Sequence, residues 1–195
     1  MEFYFKPNYT LPYYRKTFED ASEFAVTFLA PLPEETVNRK PDSKTWSIAQ
    51  CFDHLIETGY AYLEEALPVI DKYEDQIPMG RGPYHHRFFV EWFIKLMRPP
   101  SKFRFNAPDL FLPKSDLNKK RVLDGFVALQ KDILFQIDRI SELNMNKLKV
   151  PHPLVPFFKL NMSEVLAIID AHQQRHFWQA RHILQQVDRK ESTVI

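Results

Sequence analysis

A chain of 195 residues, 45% of them hydrophobic, is long enough for one domain with a real core and too apolar to be disordered. Its 26 Lys and Arg balance 25 Asp and Glu, so neither nucleic acid nor anionic lipid is the expected partner. A lone cysteine, Cys51, excludes an internal disulfide framework and any multi-cysteine zinc site.

Taken from the start, residues 1–7 lack a basic region followed by an apolar core and do not read as a secretory signal. No stretch approaches the roughly 20 apolar residues that cross a bilayer, so the cytoplasm is expected. The first helix is predicted over about 12–30, with Phe18, Ala21, Ala25, Phe28 and Leu29 on one face. Pro31, Pro33 and Pro41 then break the chain. The second helix, 47–73, opens on a capping-box pattern of Ser47 and Gln50, with Trp46 placed as a hydrophobic staple. Ile48, Phe52, Leu55, Ile56, Gly59, Leu63 and Ala66 carry its stripe, and Pro68 is a candidate kink or stop.

An insertion over about 78–114 is too long for a simple loop. It holds a short aromatic helix, 84–97, then a proline-broken segment, so the flanking helices need not be antiparallel neighbours. The third long helix is predicted over 115–143, with Leu123, Val127, Ile133, Leu134, Ile137 and Ile140 inward and Lys119-Lys120-Arg121 a solvated helix start. A short link over 147–160 carries His152-Pro153. The last helix, 162–188, has Asn161 or Ser163 as cap and Glu164 at its positive end. Four long amphipathic helices make the fold class all-α, a four-helix bundle in one domain.

The last helix sets two imidazoles in an apolar stripe: Val165, Leu166, Ile169, His172, His176, Ala180, Ile183, Leu184 and Val187. Residues i and i+4 differ by about 40° around a helix and about 6 Å along it, so both rings point one way. His54, beside the stripe of the second helix, is a third candidate. These rings are either core histidines satisfied by hydrogen bonds or three ligands for one metal ion. His85 and His86 are adjacent, diverge by about 100° on a helix, and read as surface or pocket lining. His152 reads as structural and His182 as solvated or interfacial.

Absent motifs narrow the chemistry. The run His172-Gln173-Gln174-Arg175-His176 lacks the glutamate of a zinc peptidase helix. Paired Glu-x-x-His elements, a phosphate-binding glycine loop and a serine nucleophile elbow are missing too. Cys51, one turn before His54, reads as an inert buried thiol. Tyr84, Phe88, Phe89 and Trp92 either roof an apolar electrophile pocket or simply pack. Arg175 and Arg181 are surface arginines or anchors for an anionic thiol or carboxylate. No catalytic base is identifiable.

Pro41, then Trp46-Ser47-Ile48, then His54-Leu55, resembles the pattern of the DinB/YfiT-like superfamily. His152-Pro153, Met162-Ser163 and His172-x-x-x-His176, with Arg175 and Gln179, is similar to that family's last helix, and Phe105-Asn106-Ala107-Pro108 to Pro113 to members with a long crossover. The resemblance spans about 13–187. It implies a four-helix bundle, often up-down-down-up, with nickel or zinc bound by His54, His172 and His176, and it implies a homodimer. It further implies a metal-dependent enzyme: a thiol S-transferase using a low-molecular-weight thiol on a small electrophile, or a hydrolase. A non-catalytic, stress-related binding module is the alternative from another class.

Overall fold

The computed structural model describes residues 7–73, 75–76, 78–80, 82–100 and 106–193. Residues 1–6 and Phe105, on which two of the expectations above rest, lie outside the described residues. The fold is mostly helical: α1 (Leu11–Leu29), α2 (Glu34–Asn38), α3 (Ile48–Tyr73), α4 (Phe88–Met97), a 3-10 turn (Asp109–Phe111), α5 (Lys119–Arg139), β1 (Lys149–His152), β2 (Val155–Asn161) and α6 (Met162–Thr193).

Local chemistry sets most of the boundaries. Thr10 caps α1 by accepting from the Tyr13 N–H, and Pro12 sits in the first turn, where its missing donor costs nothing. Ser47 and Gln50 form the expected reciprocal cap: the Gln50 N–H donates to Ser47 Oγ at 3.2 Å and the Ser47 N–H to Gln50 Oε1 at 3.1 Å. Helix α3 continues through Pro68, because burial of Leu63, Ala66 and Ile70 on either side outweighs the one ladder bond that proline cannot make. At α6 the cap is Asn161, not Ser163. Its Oδ1 accepts from the Glu164 N–H at 2.8 Å while Glu164 Oε2 accepts from the Asn161 N–H at 3.0 Å.

Three sequence expectations need correction. The third long helix is shorter than 115–143, because Asn118 Oδ1 takes the Arg121 N–H and starts the helix at Lys119, and the chain turns out of it at Ile140. Its buried stripe is Val122, Phe126, Leu129, Ile133 and Ile137, leaving Leu123 and Val127 at the margin. The link over 147–160 is an antiparallel hairpin of β1 and β2, with Val150 opposite Leu160 and both buried. The aromatic helix begins at Phe88 instead of residue 84. The Tyr84 N–H is spent on the Tyr9 carbonyl, and Asn146 binds both backbone groups of His85.

The long helices pack in a consistent sense. Helix α1 lies against α5 head to tail: Arg15 pairs with Asp138, and Lys119 donates to the Ala30 and Leu32 carbonyls. Helices α3 and α5 are neighbours running the same way, through Ile56 with Gly125, Tyr60 with Asp132 and Asp71 with Arg139. At Gly59 they approach so closely that an added Cβ would lie 2.5 Å from a Leu129 methyl. Helix α6 crosses both α1 and α3: Tyr14 meets Ser163, the Phe24 ring lies 4.3 Å from Phe177, and Phe52 lies 5.7 Å from Phe177.

Two apolar clusters fill the interior. One gathers Tyr14, Phe18, Ile70, Leu129, Ile133 and Ile169; the other gathers Ala25, Leu29, Phe52, Phe126, Phe177 and Ile183. Along α3, the buried polar residues His54 and Thr58 fall between Phe52 of one cluster and Leu63 of the other. Along α6, His172 and His176 fall between Ala171 and Phe177 in the same way. The candidate site therefore sits at the seam of the core. No described helix is long and apolar enough to cross a membrane.

Candidate metal centre

Helical spacing delivers the three imidazoles. His54 lies in the second turn of α3, a helix begun one turn earlier by the Ser47–Gln50 cap. Gln50 also donates to the Lys114 carbonyl, which ties the end of the crossover to the same turn. His172 and His176 stand one turn apart on α6. The antiparallel packing of α3 on α6 then brings all three rings together.

His172 Nε2 lies 3.2 Å from His54 Nε2 and 3.0 Å from His176 Nε2. The ring centroids are separated by 4.7 to 4.9 Å, in edge-on arrangements. Among the described residues this is the one group of three or more His, Cys, Asp or Glu side chains placed to hold an ion, with ligand atoms within 4.8 Å of one another. Nitrogens ~2.0–2.1 Å from a single zinc ion at tetrahedral angles are roughly 3.3 Å apart. The two Nε2 separations about His172 lie near that spacing.

Protonation suits an ion too. The His54 Nδ1 contact, at 2.8 Å, is to the Phe111 carbonyl, which only accepts; Nδ1 therefore carries the proton and Nε2 presents its lone pair to the cluster. Burial pushes His172 down to about 3, helped by His54 and by the positive charge of Arg175. Burial also lowers His54, against the opposing pull of the Phe111 carbonyl and Asp53. His176 is held well below its usual range by burial and by its neighbours His172, His54 and Arg175, against the opposing pull of a side-chain hydrogen bond with Gln179. All three rings are thus neutral near pH 7, the state in which imidazole ligates a metal. His176 Nδ1, on the far side of the ring from the cluster, is buried without a partner in strict hydrogen-bonding geometry.

Trp46 closes one side of the cluster. Its ring lies 5.0 Å from that of His54 and 5.8 Å from that of His176, nearly parallel to the latter. The 3-10 turn ending at Phe111 closes another side through the carbonyl bond. His54 and His176 are buried, whereas His172 keeps part of its surface open.

The remaining sequence candidates separate cleanly. Cys51 is fully buried, and burial pushes its thiol far up, so it is an inert core group. His152 accepts from the Leu154 N–H and meets Tyr62 OH at 3.2 Å, a structural role in the hairpin. His182 is exposed and donates to the Trp178 carbonyl. Arg181 lies over the Phe24 ring, while Arg175 is half-buried beside the cluster. In the aromatic insertion Phe89 lies against Phe158, 5.7 Å between ring centroids. Tyr84 is buried with its hydroxyl on the Gly80 carbonyl, whereas Phe88 is 86% exposed and Trp92 58%.

Sequence reasoning missed three participants. Trp46 was read only as a staple, and its ring faces the site. Thr58, four residues after His54 and so on the same helical face, is 3.4 Å from His172 Nδ1; the i+4 spacing was a usable signal. The Phe111 carbonyl left none, since a backbone group has no residue type. His86, read as surface or pocket lining, instead has a fully buried side chain. Its Nδ1 meets Glu91 at 2.7 Å and its Nε2 meets Ser163 Oγ at 2.8 Å, which pins the entry of α4 to the start of α6.

A family model described as the DinB superfamily matches residues 17–180. No curated protein and no solved structure matches the chain.

Proposed function

The chain belongs to the DinB superfamily, and from that premise we propose that it is a divalent-metal enzyme whose ligands are His54, His172 and His176. The carrying observation is the convergence of their Nε2 atoms, 3.0 and 3.2 Å about His172. Nickel or zinc suits a neutral imidazole set. Such an ion, when bound, supplies Lewis acidity that makes a coordinated thiol or water a nucleophile at neutral pH.

The protein's own groups position and shield. The Phe111 carbonyl fixes the tautomer and orientation of His54. Trp46 keeps water from the buried faces of His54 and His176. The open edge of His172 is the side from which a substrate arrives. We read the reaction as transfer of a low-molecular-weight thiol to a small electrophile. Among the described residues the hydrogen-bonding partners of the rings, a carbonyl, a hydroxyl, the Gln179 side chain and one another, include no anionic base. A thiol, with an unperturbed pKa of about 8.5 for cysteine, needs far less help to ionise than water does. Hydrolysis and a non-catalytic binding role are the readings this one competes with.

The packing senses given above support an up-down-down-up bundle of α1, α3, α5 and α6. The outward aromatics Phe88, Phe89 and Trp92 of α4 are the surface we assign to a homodimer contact. The buried thiol of Cys51 agrees with work in a reducing cytoplasm.

Elemental analysis of protein purified without chelator tests the site. About one nickel or zinc per chain is expected, falling to near zero in His54→Ala and His172→Ala. Thiol consumption with bacillithiol, mycothiol or glutathione against an electrophile panel then tests the reaction. A chain that stays metal-free after loading belongs with the binding modules.

A further inference from the structure

We propose that Thr58 is a positioning residue: its hydroxyl couples the two helices at the site by fixing the tautomer of His172, so that Nε2 offers its lone pair. The inference rests on the metal reading above but is carried by separate atoms. Thr58 Oγ1 lies 2.7 Å from the His54 carbonyl, one turn back on α3, and 3.4 Å from His172 Nδ1 on α6.

A hydroxyl has one proton and two lone pairs. A carbonyl only accepts, so the short contact to His54 takes that proton. Toward His172 the same oxygen can then only accept, and Nδ1 must be the protonated nitrogen. His172 Nε2 is left as a lone pair, directed at His54 Nε2 and His176 Nε2. The back-bond to residue i−4 also holds the threonine rotamer in place. Thr58 is itself buried, 8% exposed, so water competes little for either contact.

The proton arrangement that follows for the metal-free chain leaves the 3.2 Å contact between His54 Nε2 and His172 Nε2 as two facing lone pairs, which a bound cation would relieve. His54 donates from Nδ1 to Phe111 and His172 from Nδ1 to Thr58. His176 donates from Nε2 to His172 across the shorter, 3.0 Å contact. Two of the three rings are thereby preset for ligation by groups on α3 and the crossover. Only His176 has to exchange tautomers, its proton moving to the buried Nδ1.

Thr58→Val keeps the β-branched shape and removes the acceptor; Thr58→Ser keeps the hydroxyl. Two measurements on the full chain test the assignment. In metal-free protein, long-range nitrogen–proton correlation spectra should show His172 as the Nδ1–H tautomer in wild type and Thr58→Ser, and a mixture in Thr58→Val. In chelator competition with zinc, Thr58→Val should bind about 10- to 100-fold more weakly than wild type, with Thr58→Ser close to wild type. Melting of the metal-free variants checks that all are folded. An Nε2–H tautomer in wild type, or a Thr58→Val protein with unchanged tautomer and zinc affinity, overturns the proposal. A wild type that binds no zinc yet holds the Nδ1–H tautomer sinks the metal reading while sustaining the role of Thr58 as a tautomer lock.

Discussion

Metal should stabilise this fold by an amount that His54 controls. The proposed ligands come from two helices: His54 from α3, His172 and His176 from α6. An ion held by all three binds the folded chain and not the unfolded one, in which residues 54 and 172 are far apart along the chain. At free metal 100-fold above Kd, linkage gives about 2.7 kcal/mol. For a domain near this size, 1 kcal/mol moves Tm by about 2–4 °C, so a rise of roughly 5–11 °C is expected. His54→Ala leaves only the i,i+4 pair on one helix. If Kd then rises about 100-fold, the same metal concentration equals Kd and the gain falls to about 0.4 kcal/mol, near 1 °C. The variant also loses the bond from Nδ1 to the Phe111 carbonyl, worth about 1 kcal/mol, so its metal-free baseline will be lower. The metal-induced shift, not absolute Tm, is therefore the quantity to compare. Circular-dichroism melts of stripped protein in buffered zinc or nickel measure it. Equal shifts in wild type and His54→Ala, or none in either at any metal concentration, would refute the reasoning.

Two further outcomes test the frame around the site. Gly59→Ala gains about 1 kcal/mol of helix propensity but drives a Cβ to 2.5 Å from Leu129, which is fully buried and has little room to turn, at a cost of about 1–3 kcal/mol. Net destabilisation in urea is expected, and a more stable variant would show that α3 and α5 separate easily. Glu164 is fully buried; burial raises its pKa, but hydrogen bonds from Arg87 and from the Asn161 N–H outweigh this and leave it lowered. A lowered carboxyl stabilises the fold above its unfolded value and loses that contribution as pH falls through the folded one. Urea titrations should find Glu164→Gln less stable than wild type at pH 7, with the gap shrinking as the pH falls below the ordinary glutamate range and through the lowered folded-state value. A gap independent of pH would mean that the Arg87 pair contributes nothing through charge.

How far the residues announced this structure depends on the range of the interactions. The Ser47–Gln50 cap, the stripe of α1 and the paired rings of α6 are written within one or two helical turns, and they were legible. The start of α5 at Asn118 was missed because hydrophobic spacing ran on past a capping residue. The hairpin was missed because Val150 and Leu160 acquire their meaning only by facing each other. At the site, His172 and His176 share a face by helical geometry alone; His54, beside the stripe of the second helix, was legible as a third candidate, and likeness to a family strengthened it.

Periodicity and capping chemistry are local, so the chain alone settled that it folds mostly as helices and that two imidazoles project from one side of the last. Which other groups meet those rings is a matter of chain segments far apart in sequence. Only the antiparallel packing of α3 on α6 set His54 at 3.2 Å from His172, and only the course of the crossover put a carbonyl at Phe111 behind it. Tautomer and charge follow from those tertiary neighbours, because an imidazole's proton goes where the surrounding donors and acceptors send it.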